Sequence, residues 1–147
     1  MMQDRTERWL VAVLLGAVAL FALRGAVFAA GTLKGQSVAC VQLTSQGRGS
    51  DALPLCLAAA AGYRVQARSA SNPFDDYLTA GRLMAAAAAD YSQLNKHKEA
   101  LDTALRAHEL VLWVYRSFPM DDGDKTEINE LTRQLRNIEV VEGARRS

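Results

Sequence analysis

Apolar side chains between residues 53 and 142 recur every three or four positions, which is the period of amphipathic α-helices. The last such stretch is the simplest, because its apolar residues form one narrow seam and charged residues cover its other faces. The seam consists of Ile128, Leu131, Leu135 and Ile138. The pattern predicts helices at residues 53–67, 73–94, 97–118 and 125–141. We therefore expect a small all-α domain of antiparallel helices.

Residues with strong local preferences support these helix ends. Asn72 can cap the second helix, and Pro73 suits its first position. Asn95 can adopt the left-handed conformation that a tight turn requires, and Pro119 disfavours helix in the residue before it. The spacing of an acidic pair at residues 124 and 127 predicts a capping box at the start of the last helix.

Residues 31–52 differ in composition, because Gly, Ser, Thr and Gln dominate them. A brief apolar patch at residues 38–43 has strand character. We predict a linker here with one short strand, followed by a helical domain at residues 53–142. Residues 143–147 should form a loose tail.

The first thirty residues contain an uncharged apolar run from Trp9 to Leu23 after a short charged start. As a signal peptide, the segment would be cleaved after Ala29 and the rest of the chain exported as a soluble protein. As a single-pass membrane anchor, it would reach across a bilayer if Arg24 extends toward the far interface. Both interpretations bring the remainder of the chain to a membrane.

Basic residues and cysteines help to predict the side of that membrane on which the domain lies. Arg5 and Arg8 favour a cytoplasmic N-terminus, which would place the main domain outside the cytoplasm. Cys40 and Cys56 would be reduced thiols in a cytosolic protein. In an oxidising compartment they could form a disulfide worth about 3 kcal/mol in the chain-entropy model.

Charge and motif content argue against several functions. The chain has 17 basic and 16 acidic side chains, so it lacks the positive field that nucleic-acid binding requires. His97 and His108 are about 16 Å apart along one helix, which is too far to hold one metal ion. The sequence has no nucleophile elbow and no phosphate-binding loop. We predict no catalytic residue, no cofactor and no metal, and therefore no enzyme.

Around residues 91–110, small and aromatic residues stand at spacings that let two helices pack closely: Ala88, Tyr91, Ala100 and Ala107. Asn95 stands at the turn between the two helices. In these positions the segment resembles one tetratricopeptide repeat (TPR), a helix-turn-helix unit of 34 residues. The sequence departs from the repeat where Ala104 replaces an aromatic residue and Leu112 replaces the terminal proline. No second copy occurs at the same period, and a single repeat cannot bury its own faces.

The resemblance implies a protein-binding role, since TPR proteins bind peptides or proteins in the groove lined by the first helix of each repeat. Arg82 and Met84 would face such a groove. Trp113, Tyr115 and Phe118 lie at the end of the third helix, where they either pack in the core or form an exposed anchor for a partner.

The sequence as a whole predicts a non-enzymatic, membrane-associated protein-interaction module that acts as a scaffold or assembly factor. The alternative is a small single-span accessory subunit of a larger membrane protein complex. A third hypothesis is a secreted binding protein with a bridge between Cys40 and Cys56. The expected partners are proteins, with the membrane contacted through residues 1–30.

Overall fold

The computed structural model describes residues 31–145, and this part of the chain consists of five α-helices without a strand. The helices are α1 Leu33–Ser45, α2 Gly49–Ala67, α3 Phe74–Gln93, α4 His97–Ser117 and α5 Asp122–Ala144. The predicted all-α class is confirmed. None of these five helices combines the length and the apolar character needed to cross a bilayer. The predicted anchor or signal peptide at residues 1–30 lies outside the described residues.

The predicted linker at residues 31–52 is wrong, because most of it is helical. Residues 33–45 form α1, which includes the patch predicted as a strand, and α2 begins at Gly49 rather than at residue 53. Thr32 caps α1 by accepting a hydrogen bond from the backbone N–H of Gly35. Cys40 is fully buried against the following helices. Tertiary burial therefore overrides the weak helix preference of this polar, glycine-containing segment.

Helix boundaries elsewhere agree more closely with the periodicity. The left-handed conformation predicted for Asn95 is confirmed by its φ of 57°. The capping box is three residues earlier than predicted, because the Asp121 side chain accepts from the N–H of Asp124 while the Asp124 side chain accepts from the N–H of Asp121. Glu127 plays no part in it. Asn72 does not cap α3, whose N-cap is Pro73 without a side-chain hydrogen bond.

The five helices alternate between two layers. Each packs against the next in the chain, and short connections make consecutive helices antiparallel. In one layer, α3 also contacts both α1 and α5, whereas α2 and α4 in the other layer barely meet. The helices are therefore closer together on the α1, α3 and α5 side. We call this side the inner face and the α2 and α4 side the outer face.

Small side chains allow this close packing. A Cβ atom at Gly62 would lie 2.5 Å from Leu33 Cδ1, so the start of α1 presses directly on α2. At Gly81, a Cβ atom would lie 2.9 Å from Val111 Cγ2 of α4. One apolar cluster joins α1, α2 and α3, and a second joins α3, α4 and α5. Thus α3 is the central helix of the described chain, and its surface forms the floor of both faces.

Candidate functional site

The inner face contains an apolar groove over α3, bounded by α1 on one side and α5 on the other. Its central cavity has a volume of about 410 Å³. Alanine side chains of α3 form the floor: Ala85, Ala86 and Ala89. Val41 of α1 and Leu131 and Ile138 of α5 form the walls. Val41 is 54% exposed, so the α1 wall presents apolar surface to the solvent.

Alanine on the groove floor has a physical consequence. A methyl side chain keeps helix propensity high and leaves the backbone of α3 close to the surface. A second helix can approach such a surface more closely than it can approach a row of large side chains. The groove is therefore suited to an extended apolar object such as one face of a helix.

Polar residues mark the first end of the groove. A smaller cavity continues there, where Arg82 forms an ion pair with Glu127 of α5. Glu130 and Gln134 complete this end. Partial burial lowers the pKa of Arg82, and the nearby negative charge of Asp75 opposes that effect. The guanidinium remains charged and accessible beside the apolar floor.

A buried carboxylate stabilises the other end of the groove. Glu142 of α5 is fully buried and receives a hydrogen bond from the Ser92 hydroxyl of α3. His97 Nδ1 of α4 lies 2.7 Å from it, and Arg145 Nη1 lies 3.4 Å from it. Burial alone would raise the pKa of Glu142, but the hydrogen bonds from Ser92 and His97 and the charges of His97 and Arg145 lower it below its usual range. This network connects α3, α4 and α5 where the groove ends.

The α1 wall is held by a disulfide and by one partly buried hydrogen bond. Cys40 of α1 and Cys56 of α2 are bonded, with both side chains fully buried. Next to the bridge, the Thr44 hydroxyl donates to Asp90 Oδ2 of α3 over 3.1 Å. Cys56 Sγ is 3.3 Å from the same oxygen, but a disulfide sulfur carries no hydrogen to donate. Thr44 also lines the groove, so these contacts fix the position of its wall.

The structure separates the predicted partner-binding residues. Arg82 lies at one end of the inner groove, whereas Met84 lies on the outer face in a cleft between α2 and α4. The two residues are two positions apart in α3, and side chains at that spacing point to different sides of a helix. A single groove containing both, as the resemblance implied, is not what the described residues form.

The aromatic residues at the end of α4 also differ in exposure. Trp113 is 45% exposed and lines the same outer cleft as Met84, with its ring 4.9 Å from Tyr77 and 5.6 Å from Phe118. Phe118 is partly buried and packs against the core. Tyr115 is 47% exposed and lies outside this ring cluster. Trp113 and Tyr115 are therefore available to a ligand, while Phe118 mainly supports the fold.

Sequence reasoning missed most of the groove. The alanine run of α3 was visible, but only the tertiary contacts distinguish Ala86 and Ala89, which line the groove, from Ala87 and Ala88, which are fully buried. Val41 lies in the segment that the composition predicts to be a linker. The groove needs α1 as a wall, so no pattern within α3 and α4 alone could have indicated it.

No family model, curated protein or solved structure matches this chain.

Proposed function

We propose that this protein is a non-enzymatic protein-interaction module that binds an amphipathic helix of a partner protein along the inner groove. It acts as a scaffold or assembly factor at a membrane. The observation that carries the proposal is the apolar groove with its alanine floor between α1 and α5. Helix-in-groove binding uses surfaces of this kind, because the apolar face of the ligand helix enters the groove while its polar face stays in water.

Charges at the first end of the groove give the ligand a direction. Arg82 and Glu127 pair with each other at the surface, and each remains more than two-fifths exposed. A ligand helix carrying its own acidic or basic residue at this end can exchange partners with the pair. Such rim contacts contribute mainly to orientation and association rate, whereas the apolar floor supplies the affinity.

Successive helices of this chain contribute to opposite layers, which agrees with the helix-turn-helix units that the resemblance to tetratricopeptide repeats implies. Under the proposal, the closer-spaced layer of α1, α3 and α5 binds the ligand. In this chain α1 and α2 on one side, and α5 on the other, complete the faces that a single repeat would leave open.

A location outside the cytoplasm belongs to the same proposal. The disulfide between Cys40 and Cys56 supports it, since such bonds persist in oxidising compartments. Residues 1–30 would deliver the domain there, either as a retained anchor or as a cleaved signal peptide.

Filling the groove tests the proposal. In the variant Ala86→Leu/Ala89→Leu, two larger side chains occupy the floor. We expect it to capture its partner at least about tenfold more weakly, equivalent to about 1.4 kcal/mol. The measurement is co-purification of the tagged full chain from its native membranes in mild detergent, followed by titration with the purified partner.

The control is Ala58→Leu/Ala61→Leu, which adds the same atoms at two exposed positions of α2. It should keep the wild-type affinity, and both variants should keep the helical circular-dichroism signal. A groove variant that binds as well as the wild type, or a control that loses binding equally, would contradict the proposal.

A second candidate is a small single-span accessory subunit of a larger membrane complex. The apolar run from Trp9 to Leu23 favours it, because such a segment can itself supply the contact with a neighbouring subunit. In that case the helices of residues 31–145 would only cover a neighbour.

A further inference from the structure

The outer face carries a second cavity that the groove does not explain. It lies between α2 and α4 and has a volume of about 350 Å³. Met84, Leu110 and Trp113 supply apolar surface, while Arg64 of α2 and Arg106 and Glu109 of α4 supply charge. The cleft exists because α2 and α4 barely meet, which leaves α3 accessible between them.

Its two arginines have no partner among the described residues. Arg48, Arg82 and Arg133 each pair with a carboxylate, whereas Arg64 and Arg106 make no ion pair or hydrogen bond within residues 31–145. Arg64 lies in the last turn of α2, where a cation is favoured by the helix dipole. Arg106 lies in the middle of α4, so the dipole does not account for it.

The positive charge extends beyond the cleft. Arg68 is one helical turn after Arg64, and Arg116 is at a spacing that places it on the same face of α4 as Arg106 and Trp113. Glu109 is the acidic residue in the cleft. This surface therefore presents several guanidinium groups around a half-exposed tryptophan. We call it the outer basic face, defined by Arg64, Arg68, Arg106, Trp113 and Arg116.

The outer basic face lies toward the end of the molecule where the described chain begins. Leu33, at the start of α1, packs against Gly62 in the last third of α2. Since consecutive helices are antiparallel, α1 begins at the end where α2 and α4 finish. In the sequence, the apolar run ends at Leu23, eight positions before Gly31. A membrane that receives that run would be close to the outer basic face.

We propose that the cleft between α2 and α4 binds the headgroup phosphate of an anionic membrane lipid. Arg64 and Arg106 approach the phosphate from opposite sides, since guanidinium groups bind phosphate oxygens in a bidentate manner. Met84, Leu110 and Trp113 contact the glycerol and the first part of the acyl chain. Tryptophan favours this depth of a bilayer because its ring is apolar and its indole N–H is polar. The inner groove then faces away from the bilayer, so the two surfaces act independently.

Fluorescence of Trp113 tests this in the full chain. The substitution Trp9→Phe leaves Trp113 as the single tryptophan. The protein is mixed with vesicles of equal parts phosphatidylglycerol and phosphatidylcholine, and quenching by brominated acyl chains is compared with that in pure phosphatidylcholine. We expect stronger quenching with phosphatidylglycerol. In Arg64→Gln/Arg106→Gln the equilibrium constant for docking to the phosphatidylglycerol vesicles should fall about 30-fold, because each arginine near an anionic surface contributes about 1 kcal/mol.

The matched control is Arg133→Gln/Arg136→Gln, which removes the same charge from exposed positions of α5. It should retain the quenching of the parent protein, because α5 belongs to the inner layer. Equal quenching in both kinds of vesicle, or equal losses in the two double variants, would overturn the proposal. The proposal would also be overturned if free glycerol phosphate, added in the presence of phosphatidylcholine vesicles, changed the Trp113 fluorescence as much as phosphatidylglycerol does. The ligand would then be a soluble phosphate.

Discussion

Asp90 shows how one residue connects the groove wall to the central helix. It is fully buried, its Oδ1 atom has no hydrogen-bond partner among the described residues, and Thr44 supplies the hydroxyl donor to Oδ2. Burial raises the pKa of Asp90, and the hydrogen bond from Thr44 only partly offsets this. A carboxyl group in this position is more easily accommodated in its neutral form.

The sign of the resulting pH dependence follows from that raised pKa. Between the pKa of Asp90 in the unfolded chain and its higher pKa in the folded protein, the native state binds the proton more tightly. The free energy of unfolding should therefore fall as the pH rises through this range. Asp90→Asn removes the charge, so at neutral pH we expect a gain of about 1 kcal/mol that disappears toward acid pH. Denaturant unfolding across the acid to neutral range measures it.

Asp51→Asn provides the control for loss of one negative charge, because Asp51 is exposed and pairs with Arg48. It should not reproduce the gain at neutral pH. A stability difference between wild type and Asp90→Asn that does not vary with pH would contradict the role assigned to the buried carboxyl.

At the scale of elements, α1 is the helix that the pattern of residues did not indicate. Its sequence mixes glycine, serine and glutamine with scattered apolar residues, and its stability comes from packing on α2 and α3. The bridge between Cys40 and Cys56, with sixteen residues of separation, joins α1 to α2. Without it, α1 would depend on a few side chains such as Leu33 and Leu43.

Removing the bridge should weaken both the fold and the groove. For Cys40→Ala/Cys56→Ala we expect the free energy of unfolding to decrease by about 3 kcal/mol, because the unfolded chain regains the entropy of the open loop. Denaturant unfolding followed by circular dichroism measures this. Chemical reduction of the wild-type protein should give a similar loss, together with a mass increase of two hydrogen atoms. Wild-type stability in the double variant would show that the bridge does not hold α1.

At the scale of the whole molecule, the described helices present two unlike surfaces. The inner groove is apolar with polar ends, and the outer basic face combines guanidinium groups with an exposed tryptophan. The central helix α3 contributes to both, because Ala86 and Met84 point to opposite sides. In a scaffold, the inner groove could bind a partner protein while the outer basic face contacts a membrane.

Replacing residues 1–30 with an unrelated single-span anchor distinguishes the two candidate functions. If the inner groove binds the partner, the chimera should co-purify with it as well as the full chain does. If the protein is an accessory subunit held by its apolar segment, the chimera should lose its partner. The intact mass of the wild-type protein, read in the same experiment, shows whether the chain is cleaved after Ala29.

The sequence by itself determined the all-α class, the three later helices within a few residues and the turn at Asn95. These features can be predicted from local preferences and apolar periodicity, because both are properties of residues that are neighbours in the sequence. Only the tertiary structure decided that residues 33–45 are helical and that Ala86 and Ala89 line a groove. Each of these depends on contacts between distant segments, and burial against α2 and α3 outweighs the local preference of the residues involved.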